Sequence, residues 1–133
     1  MNKRFLDKVV IVTGSGSGIG QTTAERFAEE GAKVIIAELD KTTGKLVEEN
    51  INKKNSQSKF IETDVSDFNS VNDMVNGAIK QFGPPDILIN NAGINVFSEP
   101  LKMSDAEWKR AFSVDLDGVW YGCKAVLPYM LEK

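Results

Sequence analysis

Apolar residues in this chain fall into short unbroken runs separated by longer stretches with helical spacing. Lys8 to Thr13, KVVIVT, is one such run, and it ends in the glycine-rich TGSGSGIG, as expected of a strand buried on both faces entering a tight turn. Ile19, Thr23, Ala24, Phe27 and Ala28 then recur at helical spacing until Gly31 stops the segment. KVIIAE, Lys33 to Glu38, predicts a second buried strand. Lys41 to Lys54 predicts a polar, exposed helix with Leu46, Val47 and Ile51 on its inner side.

The pattern continues with a short third strand over Lys59 to Thr63 and Ser66 as N-cap of a helix whose apolar face is Val71, Met74, Val75, Ala78, Ile79 and Phe82. GPP breaks that helix, and DILIN, Asp86 to Asn90, predicts a fourth buried strand. After the loop NAGINVFSEPLKM, Ser104 with Glu107 forms a capping-box signature for one last long helix. Regular alternation of buried strands and helices predicts an α/β fold with a parallel sheet. A single unit over residues 1–133 is expected.

Composition narrows the chemistry. The 133 residues are 41% hydrophobic, enough for one core, and the net charge of -3 without a long basic run argues against nucleic acid as partner. VVIV is too short for a signal-peptide core or a membrane span, so a cytoplasmic protein without a membrane partner is the default expectation. Cys123 is alone and reads as a small apolar helix residue. There is no histidine, which removes His-based triads and most zinc sites, so no metal is expected and proton transfer falls to Tyr, Lys, Asp or Glu.

The glycine loop carries the strongest signal. The Gly-x-Gly-x-x-Gly pattern fails, since a start at Gly14 meets Ile19 where the third glycine belongs. What stands there is Thr-Gly-x-x-x-Gly-x-Gly on Thr13, Gly14, Gly18 and Gly20. A glycine turn between strand and helix lets the backbone approach a pyrophosphate, with the N–H groups of the helix start directed at it. Glu38 ends the second strand about twenty residues on, where a dinucleotide site uses a carboxylate for the adenosine ribose hydroxyls. The same carboxylate repels a 2'-phosphate, and no Arg or Lys lies in SGSGIG or immediately after Glu38, so NAD is favoured over NADP.

TGSGSGIG at Thr13 to Gly20, the acid at Glu38, TDVSD at Thr63 to Asp67 and NNAG at Asn90 to Gly93 together resemble the short-chain dehydrogenase/reductase family over essentially the whole chain. The resemblance implies that Gly14, Ser15, Ser17, Gly18, Ile19 and Gly20 hold the pyrophosphate and that Asp64 and Val65 flank the adenine. It places Asn90, Ala92 and Gly93 beside a cofactor ribose and has Asn91 tie the central strands together. It further implies a Rossmann-like doubly wound parallel sheet, incomplete, with strand order 3-2-1-4 and strands five onward absent, as the dinucleotide-binding part over residues 1–133. It also implies NAD-dependent hydride transfer between the nicotinamide and a small carbonyl or alcohol substrate. In the family, a Ser and a Tyr-x-x-x-Lys after the fifth strand perform the proton chemistry, often assisted by an Asn on the helix after NNAG.

Two departures follow. YMLEK, Tyr129 to Lys133, has the Tyr-x-x-x-Lys spacing but falls at the far end of the helix after NNAG, before any fifth strand, and so reads as coincidental, with Tyr129 partly buried and Lys133 a solvated, frayed terminus. On this reading the segment is a truncated cofactor-binding part without a complete catalytic set. In SVDLDG, Asp115 stands where the family commonly has the assisting Asn; an ionised Asp only accepts hydrogen bonds, which alters a relay through water, and the alternative is a tolerated change in helix polarity. An unpaired fourth strand and a last helix rich in Trp108, Phe112, Leu116, Val119, Trp120, Val126, Leu127 and Met130 predict a homo-oligomer through that helix and strand edge. A non-catalytic nucleotide-binding or oligomer-forming module is the alternative to an oxidoreductase. Phe97, Ser98 and Met103 either line part of a substrate cleft or belong to a plain surface loop.

Overall fold

The computed structural model describes residues 3–133; Met1 and Asn2, the first two residues of the predicted unit, lie outside the described residues. The elements run β1 (Val9–Thr13), α1 (Gly18–Glu29), β2 (Lys33–Glu38), α2 (Lys41–Lys53), β3 (Gln57–Glu62), α3 (Phe68–Phe82), β4 (Ile87–Ile89), α4 (Asp105–Phe112), a π-turn segment (Ser113–Asp117) and α5 (Gly118–Leu131). The four strands form one parallel sheet in the order β3-β2-β1-β4. This is the predicted Rossmann-like arrangement.

Both faces of the sheet are covered, and alternate strand residues divide between two cores. Ile11, Ile35 and Ala37 pack on one face with Val71, Met74, Val75 and Ala78 of α3 and Ala125 and Val126 of α5. Val10, Val12, Val34 and Ile36 pack on the other with Ala24 and Ala28 of α1 and Val47 and Ile51 of α2. All five residues of β1 are buried, which makes it the central rail on which the strand ends are aligned.

Several boundaries differ from expectation. β3 starts at Gln57, two residues early, because Gln57 and Ser58 pair with Lys33 and Val34 while the Asn52 side chain accepts from Ser58 N at 2.9 Å. The N-cap of α3 is Asp67, whose carboxylate accepts from Asn69 N; Ser66 instead donates its hydroxyl to Asp64 Oδ1 at 2.6 Å. The last helix is continuous from Asp105 to Leu131, as expected, but not uniform. It widens into the π-turn at Ser113–Asp117, a form that adds a residue to a turn and is frequent at functional sites.

The capping box at the start of α4 is present in both directions, Ser104 Oγ accepting from Glu107 N and the Glu107 carboxylate from Ser104 N. Helix α4 has no buried residue to hold it, so its start depends on this cap. Ser104→Ala should therefore cost about 1 kcal/mol in urea denaturation.

Lys133 corrects the expectation of a frayed end. Its Nζ donates to Asp86 Oδ1 at 2.7 Å and to Pro84 O at 2.9 Å, fastening the end of α5 to the start of β4. Burial alone would push the Asp86 carboxyl up. The hydrogen bonds from Lys133 and from Val9 N, with the charges of Lys133 and Lys8, outweigh it and hold the carboxyl below the usual carboxylate range. A carboxyl lowered on folding stabilises the protein above its unfolded pKa of about 4, and that contribution disappears as pH falls through the lower folded value. Denaturation midpoints of wild type and Asp86→Asn should thus differ most at neutral pH and draw together as the pH falls below about 4.

Candidate functional site

The carboxyl ends of β1, β2 and β3 and the loop after β4 meet around one cavity of about 500 Å³. Open α/β sheets bind ligands at this edge, beside the strand where the connections change direction. Here that strand is β1, since the chain passes from β1 to β2 and β3 on one side and then returns to β4 on the other.

Gly14, Ser17, Gly18, Ile19 and Gly20 form one wall of the cavity, and Glu38 stands at the end of β2. Asp64 and Val65 close the wall after β3, and Ala92 and Gly93 face them from the loop after β4. Ten of the twelve residues singled out from the sequence for cofactor contact therefore meet in one place. The other two do not line it. Ser15 is fully buried and donates its hydroxyl to Val12 O at 2.7 Å, closing the turn from inside. Asn90 turns beneath α5, its Nδ2 3.6 Å from Cys123 Sγ.

The loop is held by the groups that make it tight. Gly14 has φ +64°, a conformation open to glycine and strained for other residues, and a Cβ there would lie 2.8 Å from Ala92 Cα. Asn91 donates from Nδ2 to Thr13 O and Gly14 O, each at 3.1 Å, and Thr13 Oγ1 accepts from Asn91 N and Ala92 N, each at 3.0 Å. Asn91 thus ties the loops after β1 and β4 together and also lines the cavity.

The start of α1 differs from the other helix starts around the sheet. Asp40 caps α2, Asp67 caps α3 and Ser104 caps α4, whereas Ser17 makes no side-chain capping bond at α1. The first-turn N–H groups of α1 therefore border the cavity without an internal acceptor, an arrangement that suits a phosphate. Glu38 occupies the opposite side. Its Oε1 accepts from Gly16 N at 2.9 Å, and its Oε2 accepts from Leu39 N at 2.7 Å and Asp40 N at 3.1 Å. A glycine cradle, free helix N–H groups and a strand-end carboxylate fit a dinucleotide.

Ala37, Leu39, Thr63, Ile94 and Val114 also line the cavity, and sequence reasoning missed them. Leu39 and Ile94 could have been found as neighbours of Glu38 and Gly93. Val114 carries no such signal, because the π-turn brings it in. Asp115, next to it, is exposed and accepts from Ile94 N at 2.8 Å through Oδ1, so its visible part is to hold the loop after β4 against the π-turn. An Asn could accept the same bond.

None of the lining residues is Tyr or Lys. Tyr129 packs against the core, and Lys133 is engaged near the amino end of β4, at the opposite edge of the sheet from the cavity. A larger groove of about 800 Å³ runs along the outer face of α1, beside Phe5, Ile19 and Phe27. Its one buried acid, Glu30, is already held by Arg4 and Arg26. Burial opposes the hydrogen bond and charge of Arg4, yet the Glu30 carboxyl stays below its usual range, with the Arg4 hydrogen bond the largest cause. That groove has no strand ends and its buried acid is already paired, so the smaller cavity is the candidate site.

Fold and cavity together define a Rossmann-like α/β protein with a cavity at the carboxyl ends of its strands. Comparison with known proteins narrows the class: the family model described as short chain dehydrogenase matches residues 8–133, and the chain belongs to the short-chain dehydrogenase/reductase family. It is 38% identical over 129 residues to a meso-2,3-butanediol dehydrogenase of Serratia marcescens, covering 97% of this chain and 51% of that protein. An uncharacterized oxidoreductase of Thermotoga maritima is 42% identical over 130 residues, covering 95% of this chain and 49% of the relative. A crystal structure of a short-chain dehydrogenase/reductase from Burkholderia phymatum in complex with NAD superposes with a TM-score of 0.93 at 30% identity, covering 96% of this chain and 46% of that one. The chain spans about half the length of the curated relatives it matches. No helix among the described residues is long and apolar enough to cross a membrane.

Proposed function

We propose that residues 1–133 act as the dinucleotide-binding part of an NAD-dependent oxidoreductase, one that passes hydride between a nicotinamide and a small carbonyl or alcohol substrate. The observation that carries this reading is the meeting of the uncapped start of α1 and the Glu38 carboxylate across one cavity at the strand ends. In this reading the α1 N–H groups and the glycine loop bind the pyrophosphate, and Glu38, held in place by its backbone donors, accepts from the adenosine ribose hydroxyls with its remaining lone pairs. Asp64 and Val65 flank the adenine, while Ala92 and Gly93 adjoin the second ribose. Bound NAD would supply the hydride acceptor; the chain's own residues orient it and close one side of it off from water.

NAD is preferred to NADP because two carboxylates occupy the donors that a 2'-phosphate would use. Glu38 takes the N–H groups of Gly16, Leu39 and Asp40, and Asp40 Oδ1 takes those of Thr42 and Thr43. The proton-transfer groups are assigned to parts of the enzyme outside this segment, since the cavity lining offers no Tyr or Lys. Asp115 is assigned the loop-holding role, with any relay through water altered by its charge.

The exposed faces favour self-association as a companion property. Trp108 is 58% and Trp120 61% exposed on the α4–α5 side, and the outer edge of β4 has no strand partner in the sheet. Sedimentation should show a dimer or larger species, and a monomer at micromolar concentration would overturn that part. Isothermal titration of the chain with NAD tests the main reading: saturable binding supports it, and no heat with either NAD or NADH contradicts it.

A further inference from the structure

We propose that Gly16 is a specificity-determining position, acting by leaving room for Glu38 to close onto the glycine loop; the proposal rests on the reading that the cavity takes NAD. Gly16 is buried, and its φ is not among the positive values, so backbone freedom is not what requires glycine there. Space is. A Cβ at residue 16 would lie 2.5 Å from Thr43 Oγ1, 2.6 Å from Glu38 Oε1 and 2.7 Å from Glu38 Cγ. Any side chain at residue 16 must push the carboxylate away from the loop, breaking the 2.9 Å bond from Gly16 N to Oε1.

The crowded atoms belong to side chains, so the neighbours can yield without moving the backbone. Gly16→Ala therefore folds and binds the pyrophosphate, but with Glu38 displaced from the adenosine end of the cavity. Two consequences follow for the cofactor. NAD loses a charge-assisted hydrogen-bond partner for its ribose, while a 2'-phosphate meets a more distant negative charge. Both lower the preference for NAD. Gly16 is thus a positioning residue that works through Glu38, and the two substitutions must not be additive.

The test is a double-mutant cycle: dissociation constants for NAD and NADP in wild type, Gly16→Ala, Glu38→Ala and the double variant. The preference for NAD should fall roughly ten- to hundredfold in Gly16→Ala, as expected for losing one charge-assisted hydrogen bond. It should fall at least as far in Glu38→Ala and no further in the double variant. In the ligand-free protein the Gly16 amide should exchange with solvent faster in Glu38→Ala than in wild type. A preference in Gly16→Ala equal to that of wild type, or effects that multiply in the double variant, would overturn the proposal while leaving NAD binding intact. A wild type that binds neither nucleotide would overturn the cofactor reading beneath it.

Discussion

Replacing Gly20 with Ala is expected to abolish NAD binding. Gly20 lies inside α1 with ordinary helical backbone, so the substitution carries no dihedral strain, and in an exposed helix it would stabilise. Here a Cβ would sit 2.2 Å from Gly14 O, 2.8 Å from Gly14 C and 2.4 Å from Asn91 Nδ2. Two of these atoms are backbone of the turn itself, so nothing can yield without moving α1 off the loop. Overpacking of this kind costs about 1–3 kcal/mol, and the displaced loop no longer presents its N–H groups to the cavity. The control is Gly18→Ala. Gly18 has φ +55° and nothing within 4 Å of its would-be Cβ, so that variant carries backbone strain of about 1 kcal/mol without a clash. Calorimetric titration of the two variants should show binding lost in the first and retained, weakened, in the second.

Asn91→Ala is expected to lower both stability and affinity. Its Nδ2 is the shared donor for the last carbonyl of β1 and the first of the glycine loop, Thr13 O and Gly14 O. Removing it leaves two partly buried acceptors short of a donor and frees the loop after β4 from the loop after β1. The expected cost is about 1–3 kcal/mol, discounted toward the lower half because water can reach part of the site. For a chain of this size that is a fall in Tm of roughly 4–10 °C, measurable by calorimetric scanning. Saturating NAD should narrow the gap if the cavity still forms, because a ligand that binds only the folded state stabilises it by mass action.

Which features were legible in the sequence follows from how each is encoded. β1 and β2 are buried on both faces, so they appear as unbroken apolar runs, and their ends and the glycine loop between them fall where the pattern put them. β3 is the outer strand, with Gln57, Lys59 and Glu62 exposed, so its polar first residues looked like loop. The pattern points to a cap of α3 one residue early because Ser66 and Asp67 are both good capping residues, and the choice depends on Asp64 claiming the Ser66 hydroxyl. The π-turn at Ser113–Asp117 shifts the helix face by a single residue, too small a change for periodicity to register.

The site divides in the same way. Gly14, Gly18, Gly20 and Glu38 were visible because phosphate and ribose binding demand unusual residue types at fixed spacing. Ala37, Thr63 and Val114 contribute by position at strand ends and at the π-turn, and their residue types are unremarkable. The engagement of Lys133 by Asp86 joins residues 47 apart in sequence, and only the return of α5 to the start of β4 brings them together. That contact also separates Lys133 from any part in the cavity.

The most direct measurement is an amide-resolved NMR titration of the chain with NAD. Saturable shifts are expected at Gly14, Gly18, Gly20, Glu38, Asp64 and Gly93, with little change at Asp86 and Lys133 on the opposite edge of the sheet. Shifts confined to the groove along α1, at Phe5, Thr23 and Phe27, or no shifts at all, would contradict NAD binding at the strand ends.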